Sequence, residues 1–297
     1  MSSRMEDILK MDISTDLSRF IYFFSSLDFL KTFTLKYVES LLNNEELLKT
    51  LKAWDFDAIL TDPFDPLGAI VGEFFNIPSI YVQVNHPCDL DFLASQCPSP
   101  ASYAPQMFTH YSDRMSFWQR TVNMVRSLLQ PLACRRLFSH ADEIASRFLQ
   151  RETSMMEIMS RADLWLMLSD FAFEFPRPVM PNMVMIGGLS HNKIHALPQT
   201  RIRLRKSEQT SSAQTTCPES TEALLDHLPR LPSNHSSVTH TWTVRGGKIV
   251  VMLVDSSHWL SMKILVEELS QKGHKMVVLV PEANYYIRNG SYTTRTV

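Results

Sequence analysis

Glycine is scarce in this sequence, with eight in 297 residues, under half the usual ~7%. Loops that cradle phosphate depend on glycine, because a backbone without Cβ closes most tightly on an anion. The scarcity therefore argues against a glycine-rich nucleotide loop. The pairs Gly187-Gly188 and Gly246-Gly247 do not form a G-x-G-x-x-G fingerprint, which leaves a nicotinamide enzyme little support. Neither sign of charge is in excess. With 29 Lys+Arg against 31 Asp+Glu and a formal net charge of −2, there is no electrostatic case for nucleic acid. No stretch reaches the ~18 to 20 consecutive apolar residues of a membrane span. The four cysteines, Cys88, Cys97, Cys134 and Cys217, form no C-x-x-C pair, so zinc chemistry has no support. Reduced thiols are the default reading, and no disulfide pairing follows from the spacing.

The first ten residues, MSSRMEDILK, place charges early and no apolar core follows them, so they do not read as a secretory signal. Two glycosylation sequons, at Asn234 and Asn289, gain meaning only in a secretory compartment.

What is present is ordinary globular material: 44% hydrophobic and 20% charged residues, enough apolar surface to build a core. Residues 17–53 read as helical. Phe20, Phe23, Phe24, Leu27, Leu30 and Phe33 form one stripe, and Leu41, Leu42, Leu47, Leu48 and Leu51 continue it past a break at Asn43-Asn44. That first stripe is core material or, less simply, the lining of a lipophilic pocket. Residues 56–60 and 79–84 are short apolar runs flanking a helical stretch at 67–75, which makes a βαβ unit and so a parallel sheet. From 113 to 150 the helical period is clear: Trp118, Val122, Val125, Leu129 and Leu132 form one stripe, and Phe138, Ala141, Ile144 and Phe148 resume it after Pro131, which is expected to kink or split the helix. Residues 164–168 and 183–186 read as further strands, joined by a proline-rich extended loop.

The composition shifts after Gln199. Residues 200–245 hold a basic run and then Ser/Thr/Pro-rich sequence, which reads as a disordered linker. Order returns at 246–297. Residues 248–254 (KIVVMLV) are a buried strand, 258–271 a helix with Leu260, Ile264 and Leu265 inward, Gly273 its C-cap, and 275–280 (KMVVLV) a second strand. Residues 282–297 carry no strong signal. A βαβ piece of this size cannot cover both faces of its strands alone, so residues 246–297 are expected to dock on the sheet of residues 1–199.

Several segments carry a resemblance. Residues 176–188 (PRPVMPNMVMIGG), 60–63 (LTDP), 96–103 (QCPSPASY), 112–120 (SDRMSFWQR), 255–262 (DSSHWLSM) and 272–281 (KGHKMVVLVP) resemble the acceptor-binding half of the UDP-glucuronosyltransferases, a family of UDP-glycosyltransferases. The resemblance covers roughly 30–199 and 246–297. It implies a Rossmann-like α/β fold, a parallel sheet flanked by helices as in the N-terminal domain of a GT-B glycosyltransferase. It also implies transfer of glucuronic acid from the co-substrate UDP-glucuronate to small lipophilic hydroxyl or carboxyl acceptors. The segments stand in permuted order, since in the family the Ser-His-Trp segment opens the acceptor half and the Pro-Arg-Pro segment closes it. The order reads as the end of one acceptor half joined to the start of another. The donor domain, its membrane helix and the signal peptide of the family have no counterpart in the resemblance. Expected partners are thus a small lipophilic acceptor and complete members of the family, with no cofactor and no metal. The family implies the endoplasmic reticulum, whereas the chain as written reads as cytoplasmic. An acceptor-binding or hetero-associating unit without catalysis is the alternative reading.

The resemblance assigns His258 as catalytic base and Asp62 as its partner. The residue types suit the work. Imidazole, with an unperturbed pKa near ~6.5, accepts a hydroxyl proton at neutral pH, and a carboxylate behind it orients the ring and stabilises its protonated form. Both follow strands, at the carboxyl edge where open α/β sheets bind ligands. Sequence position alone would make Asp62 a cap or turn residue. The linker, about 46 residues with an r.m.s. span of ~35 to 40 Å, is long enough to let the two meet. His86, Trp259 and Phe92 are weaker candidates for the acceptor face, His86 being first a satisfied loop histidine. His191 and His195 have i, i+4 spacing but no third ligand, so no metal site is assigned.

Overall fold

The computed structural model describes residues 37–84, 89–106, 109–169, 174–187, 246–252, 257–280, 287 and 290–296. The stripe at Phe20 to Phe33, the linker at 200–245, His191, His195, His86, Cys88 and Cys217 lie outside the described residues.

Residues 37–42 are helical, and Asn44 then caps α1 (Glu45–Ala53) by accepting from the Leu47 N–H at 3.0 Å. The asparagine pair is therefore the break that the sequence suggests. There follow β1 (Ala58–Thr61), α2 (Pro66–Phe75), β2 (Ser79–Gln83), α3 (Leu90–Ala94), α4 (Phe117–Leu149), α5 (Met155–Ser160), β3 (Leu164–Met167), β4 (Met183–Met185), β5 (Lys248–Met252), α6 (Ser257–Gln271), β6 (Lys275–Val280) and β7 (Thr293–Thr296). Seven strands form one sheet in the order β4-β3-β2-β1-β5-β6-β7, and every pairing is parallel. The fold is α/β and Rossmann-like.

Period-two alternation builds a core on each face. Ile59, Tyr81, Trp165, Met167, Val250, Met252, Val277 and Leu279 face one layer, together with buried residues of α1, α2, α3, α4 and α5. Ala58, Leu60, Val82, Leu164, Leu166, Ile249, Val251, Met276, Val278 and Val280 face the other, where Trp259, Met262, Leu265, Val266 and Leu269 of α6 cover them. Apolar residues on both faces are what a parallel sheet with helices on both sides requires.

β5 lies beside β1, with Ala58 opposite Ile249 and Thr61 opposite Met252. Residues 246–252 and 257–280 thus extend the sheet begun by β1 to β4 rather than standing apart from it. Gly273 ends α6 at φ 92°, a conformation that favours glycine. The His274 N–H returns to the Leu269 carbonyl at 3.1 Å, in the manner of a Schellman cap.

The structure refines four readings of the sequence. Pro131 does not split α4, which runs unbroken from Phe117 to Leu149. It is anchored on both sides of the proline. On the near side Asn123 is fully buried, donating to the carbonyls of Ala101 and Ala104 at 2.7 and 2.9 Å and accepting from the Gln106 N–H at 2.8 Å. Beyond the proline, Cys134, Phe138, Ala141, Ile144 and Ala145 enter the core. The stripe from Trp118 to Leu132 faces outward: Trp118 is 74% exposed, Leu129 55% and Leu132 60%. On α6, Leu265 is buried as expected, whereas Leu260 is exposed and Trp259 is inward in its place. Finally, β7 forms in a stretch that shows no strand pattern, and it pairs only with β6 at the sheet edge.

Cys134 is disulfide-bonded, which corrects the expectation of reduced thiols. Its partner lies outside the described residues, since Cys97 is free and buried.

Candidate functional site

β1 ends at Thr61 and the chain turns at once into α2. Asp62 begins the turn: its Oδ1 accepts the Phe64 N–H at 2.7 Å and its carbonyl accepts the Asp65 N–H at 3.0 Å. Asp65 then caps α2, its Oδ1 accepting the Leu67 N–H at 3.0 Å, with Pro66 at the first helical position. This is the Asp-Pro arrangement that starts helices well. The turn sits close on the strand because Gly68 permits it. A Cβ at Gly68 would lie 2.0 Å from Thr61 Oγ1 and 2.5 Å from Thr61 Cβ.

The turn commits one oxygen of Asp62 and leaves the other to face α6. There Asp62 Oδ2 pairs with His258 Nδ1. The two residues are 196 positions apart and meet because β5 is paired beside β1, which sets the start of α6 next to the end of β1. Asp62 is closed off, its side chain 5% exposed, while that of His258 is 25% exposed. Phe64 meets the imidazole edge-on, with ring centres 6.3 Å apart and planes at 86°. The hydrogen bond that Asp62 accepts from the ring raises the His258 pKa above the ordinary imidazole value. Burial opposes this, and the charge of Asp62 adds to it. Nearby, burial pushes the Asp65 carboxyl up to about 7, against the Leu67 N–H and with the help of the Asp62 charge.

Other expected residues fall elsewhere. Trp259 is fully buried under the sheet and packs edge-on against Tyr292 at 5.5 Å. Phe92 is 2% exposed, beneath the Arg177 guanidinium at 4.9 Å. Both are core residues rather than lining of an open face, because each is the largest apolar side chain on the inward side of its helix. Arg177, from the Pro-Arg-Pro loop, pairs with Asp89 at 3.5 Å and ties that loop down beside α3. No group of three or more His, Cys, Asp or Glu residues that could hold a metal occurs among the described residues.

With this geometry in view, the relationships of the chain become informative. The family described as "UDP-glucoronosyl and UDP-glucosyl transferase" matches residues 4–212 and 247–297. The chain belongs to this family.

The family match takes in both halves of the His258–Asp62 pair. The chain is similar to UDP-glucuronosyltransferase 1A3 of Homo sapiens, 42% identical over 171 residues, 57% of this chain and 32% of that protein. To UDP-glucuronosyltransferase 1A1 of Rattus norvegicus it is 43% identical over 159 residues, 54% of this chain and 30% of that protein. To UDP-glucuronosyltransferase 1A4 of Oryctolagus cuniculus it is 44% identical over 150 residues, 50% of this chain and 28% of that protein. The chain thus spans about a third of the length of the curated relatives it matches. No solved structure matches it significantly. As a member of this family it is a glycosyltransferase-type α/β chain, and no helix among its described residues is long and apolar enough to cross a membrane.

The structure brings His258 and Asp62, which the resemblance pairs, into contact; the residues that hold them were not singled out. Asp65 was legible in the Asp65-Pro66 dipeptide as a helix-start signal. Phe64 and Gly68 carried no local signal, because their roles depend on how closely α2 approaches β1.

Proposed function

We propose that this chain supplies the acceptor side of a glucuronosyl transfer, with His258 as the base and Asp62 as its partner. One observation carries the reading: a histidine at the carboxyl edge of the sheet is hydrogen-bonded through Nδ1 to a buried carboxylate. With Nδ1 held by Asp62, base chemistry falls to Nε2. An acceptor hydroxyl would give its proton to Nε2 while its oxygen forms a bond to the anomeric carbon of UDP-glucuronate. The bond from that carbon to UDP breaks with its electron pair leaving on the diphosphate, and Asp62 stabilises the imidazolium that results.

The relatives' names point to UDP-glucuronate as donor. Small lipophilic alcohols, phenols and acids are the proposed acceptors. The donor would have to be held by elements other than those described, because positioning both substrates is much of the rate gain in such a transfer. An acceptor-binding unit that associates with complete family members is the second reading. The exposed apolar residues Phe117, Trp118, Leu128 and Leu132 on α4 favour it, since a contiguous apolar face suits association. The disulfide at Cys134 supports an oxidising compartment, the endoplasmic reticulum lumen of the family, over the cytoplasm.

The test is turnover by the purified chain with UDP-glucuronic acid and a phenolic acceptor, run beside calorimetry with each substrate. Glucuronide formation supports transfer by this chain. Acceptor binding without donor binding or product supports the second reading, and no binding of acceptor contradicts both.

A further inference from the structure

Asp62 is not the only carboxyl in its turn, and the second one is placed oddly for a helix cap. Asp65 is 2% exposed. Its Oδ1 is used by the Leu67 N–H, while its Oδ2 is buried with no hydrogen-bond partner among the described residues. A cap needs only one acceptor oxygen, which serine or asparagine provides without burying an ionisable group. A buried carboxyl with an unsatisfied oxygen is costly. The same residue also shapes the site, since its N–H is bound to the Asp62 carbonyl at 3.0 Å. That contact closes the turn in which Asp62 Oδ1 is committed to Phe64 and Oδ2 to His258.

We propose that Asp65 is a positioning residue of the His258–Asp62 pair: it holds the Asp62 turn, and its own charge sets how firmly the pair holds a proton. The proposal rests on the reading of His258 as the base of the transfer. Among the described residues, the titratable groups that interact with Asp65 are Asp62 in its own turn and Tyr37 from the helical residues 37–42, and Asp62 in turn binds His258 of α6. Tyr37 registers the contact: its hydroxyl is held above the ordinary phenol range, by burial first and by the Asp65 charge second. Burial brings the Asp65 carboxyl to about 7, so its ionisation is poised near neutral pH. With Asp65 ionised, its charge adds to that of Asp62 beside it, and the imidazole that Asp62 binds holds its proton more firmly.

The test follows the His258 ring resonances of the full chain by NMR from about pH 5 to 9, the range in which imidazole titrates, with His258→Gln assigning the signal. Asp65→Asn retains the capping oxygen and removes the charge; Asp65→Ser is the second such variant should the first not fold. The expected result is that the charge-free variants keep the wild-type fold while the His258 midpoint moves to lower pH, and that a broadened wild-type titration becomes a single step. An unchanged midpoint and shape in both variants overturns the proposal. Asp62→Asn separates the two levels. If it lowers the midpoint while the Asp65 variants do not, Asp65 is only a cap and the pair stands. If it has no effect either, the pairing itself is wrong.

Discussion

Asp57 and Lys248 join two segments 191 residues apart: Asp57 Oδ2 accepts the Lys248 N–H at 2.6 Å while the Asp57 N–H donates to the Lys248 carbonyl at 2.8 Å. This closed pair is the first rung between β1 and β5, and it sets the register that brings His258 over Asp62. Asp57→Ala removes the side-chain acceptor and is expected to lower stability by about 1 kcal/mol, the usual net worth of one such hydrogen bond. Amide exchange at Ile249 and Val250 should accelerate, and Asp57→Asn should restore most of the protection. Unchanged exchange along β5 in the alanine variant would show that the rung does not set the register.

Gly68→Ala should damage the site from behind. The new Cβ would meet Thr61 Oγ1 at 2.0 Å and Thr61 Cβ at 2.5 Å, too close to absorb without moving α2. A loss of about 1 to 3 kcal/mol is expected from such overpacking, read as a lowered Tm. Because α2 carries Asp65 at its start, the His258 titration should change as well. At Gly72 the nearest approaches are longer, Ser79 Oγ at 2.7 Å and Ile59 Cγ2 at 2.9 Å, and Gly72→Ala should cost less.

Stability should depend on pH with a definite sign. His258 and Asp65 both have pKa values raised in the folded chain, so the folded state binds more protons and stability falls as pH rises. Their contribution is complete below the ordinary values, 6.5 for the imidazole and 3.8 for the carboxyl, and is lost as pH climbs through the folded ones, about 7 for Asp65. His274 acts in the opposite sense. Burial lowers its pKa and its Nδ1 accepts the Gly247 N–H at 3.1 Å, so its contribution is lost as pH falls. Comparing Tm against pH for wild type and Asp65→Asn cancels His274. The variant should show the shallower decline between about pH 4 and 7; parallel curves would contradict the assignment.

The cysteines divide by state. Denatured without reductant and treated with an alkylating reagent, the chain should be labelled at Cys97 and not at Cys134, since Cys97 is free and Cys134 is disulfide-bonded. After reduction, peptide mapping should find both labelled. Labelling of Cys134 before reduction would remove the support that the disulfide lends to an oxidising compartment.

Six of the seven strands could be read from sequence, because a strand buried on both faces is a short apolar run: AILT, SIYVQ, LWLM, MVM, KIVVM and KMVVLV. β7 (TTRT) could not, since it is a mostly exposed edge strand whose pairing to β6 is made by backbone alone. Helical periodicity located α4 but not its buried face. Period reports which residues share a side, not whether that side meets the core, and the buried contact there is made by the polar Asn123. On α6 the expected Leu265 is buried, but Trp259 rather than Leu260 faces inward, because the two are adjacent and both apolar. His258 and Asp62 were legible through the family resemblance. Asp65 was legible only as a helix start, and Phe64 and Gly68 act through the tightness of a turn, which no spacing rule encodes.

The central claim is that His258, held by Asp62, is the base for transfer to an acceptor hydroxyl. The most direct measurement is kcat/KM for glucuronide formation from UDP-glucuronate and a phenolic acceptor, taken across pH for wild type, His258→Ala and Asp62→Asn in a preparation that turns over. Loss of a general base should lower the rate by about 10²- to 10⁴-fold in His258→Ala and abolish the basic dependence on pH, with Asp62→Asn also impaired. A His258→Ala variant that keeps the wild-type rate and pH profile would contradict it.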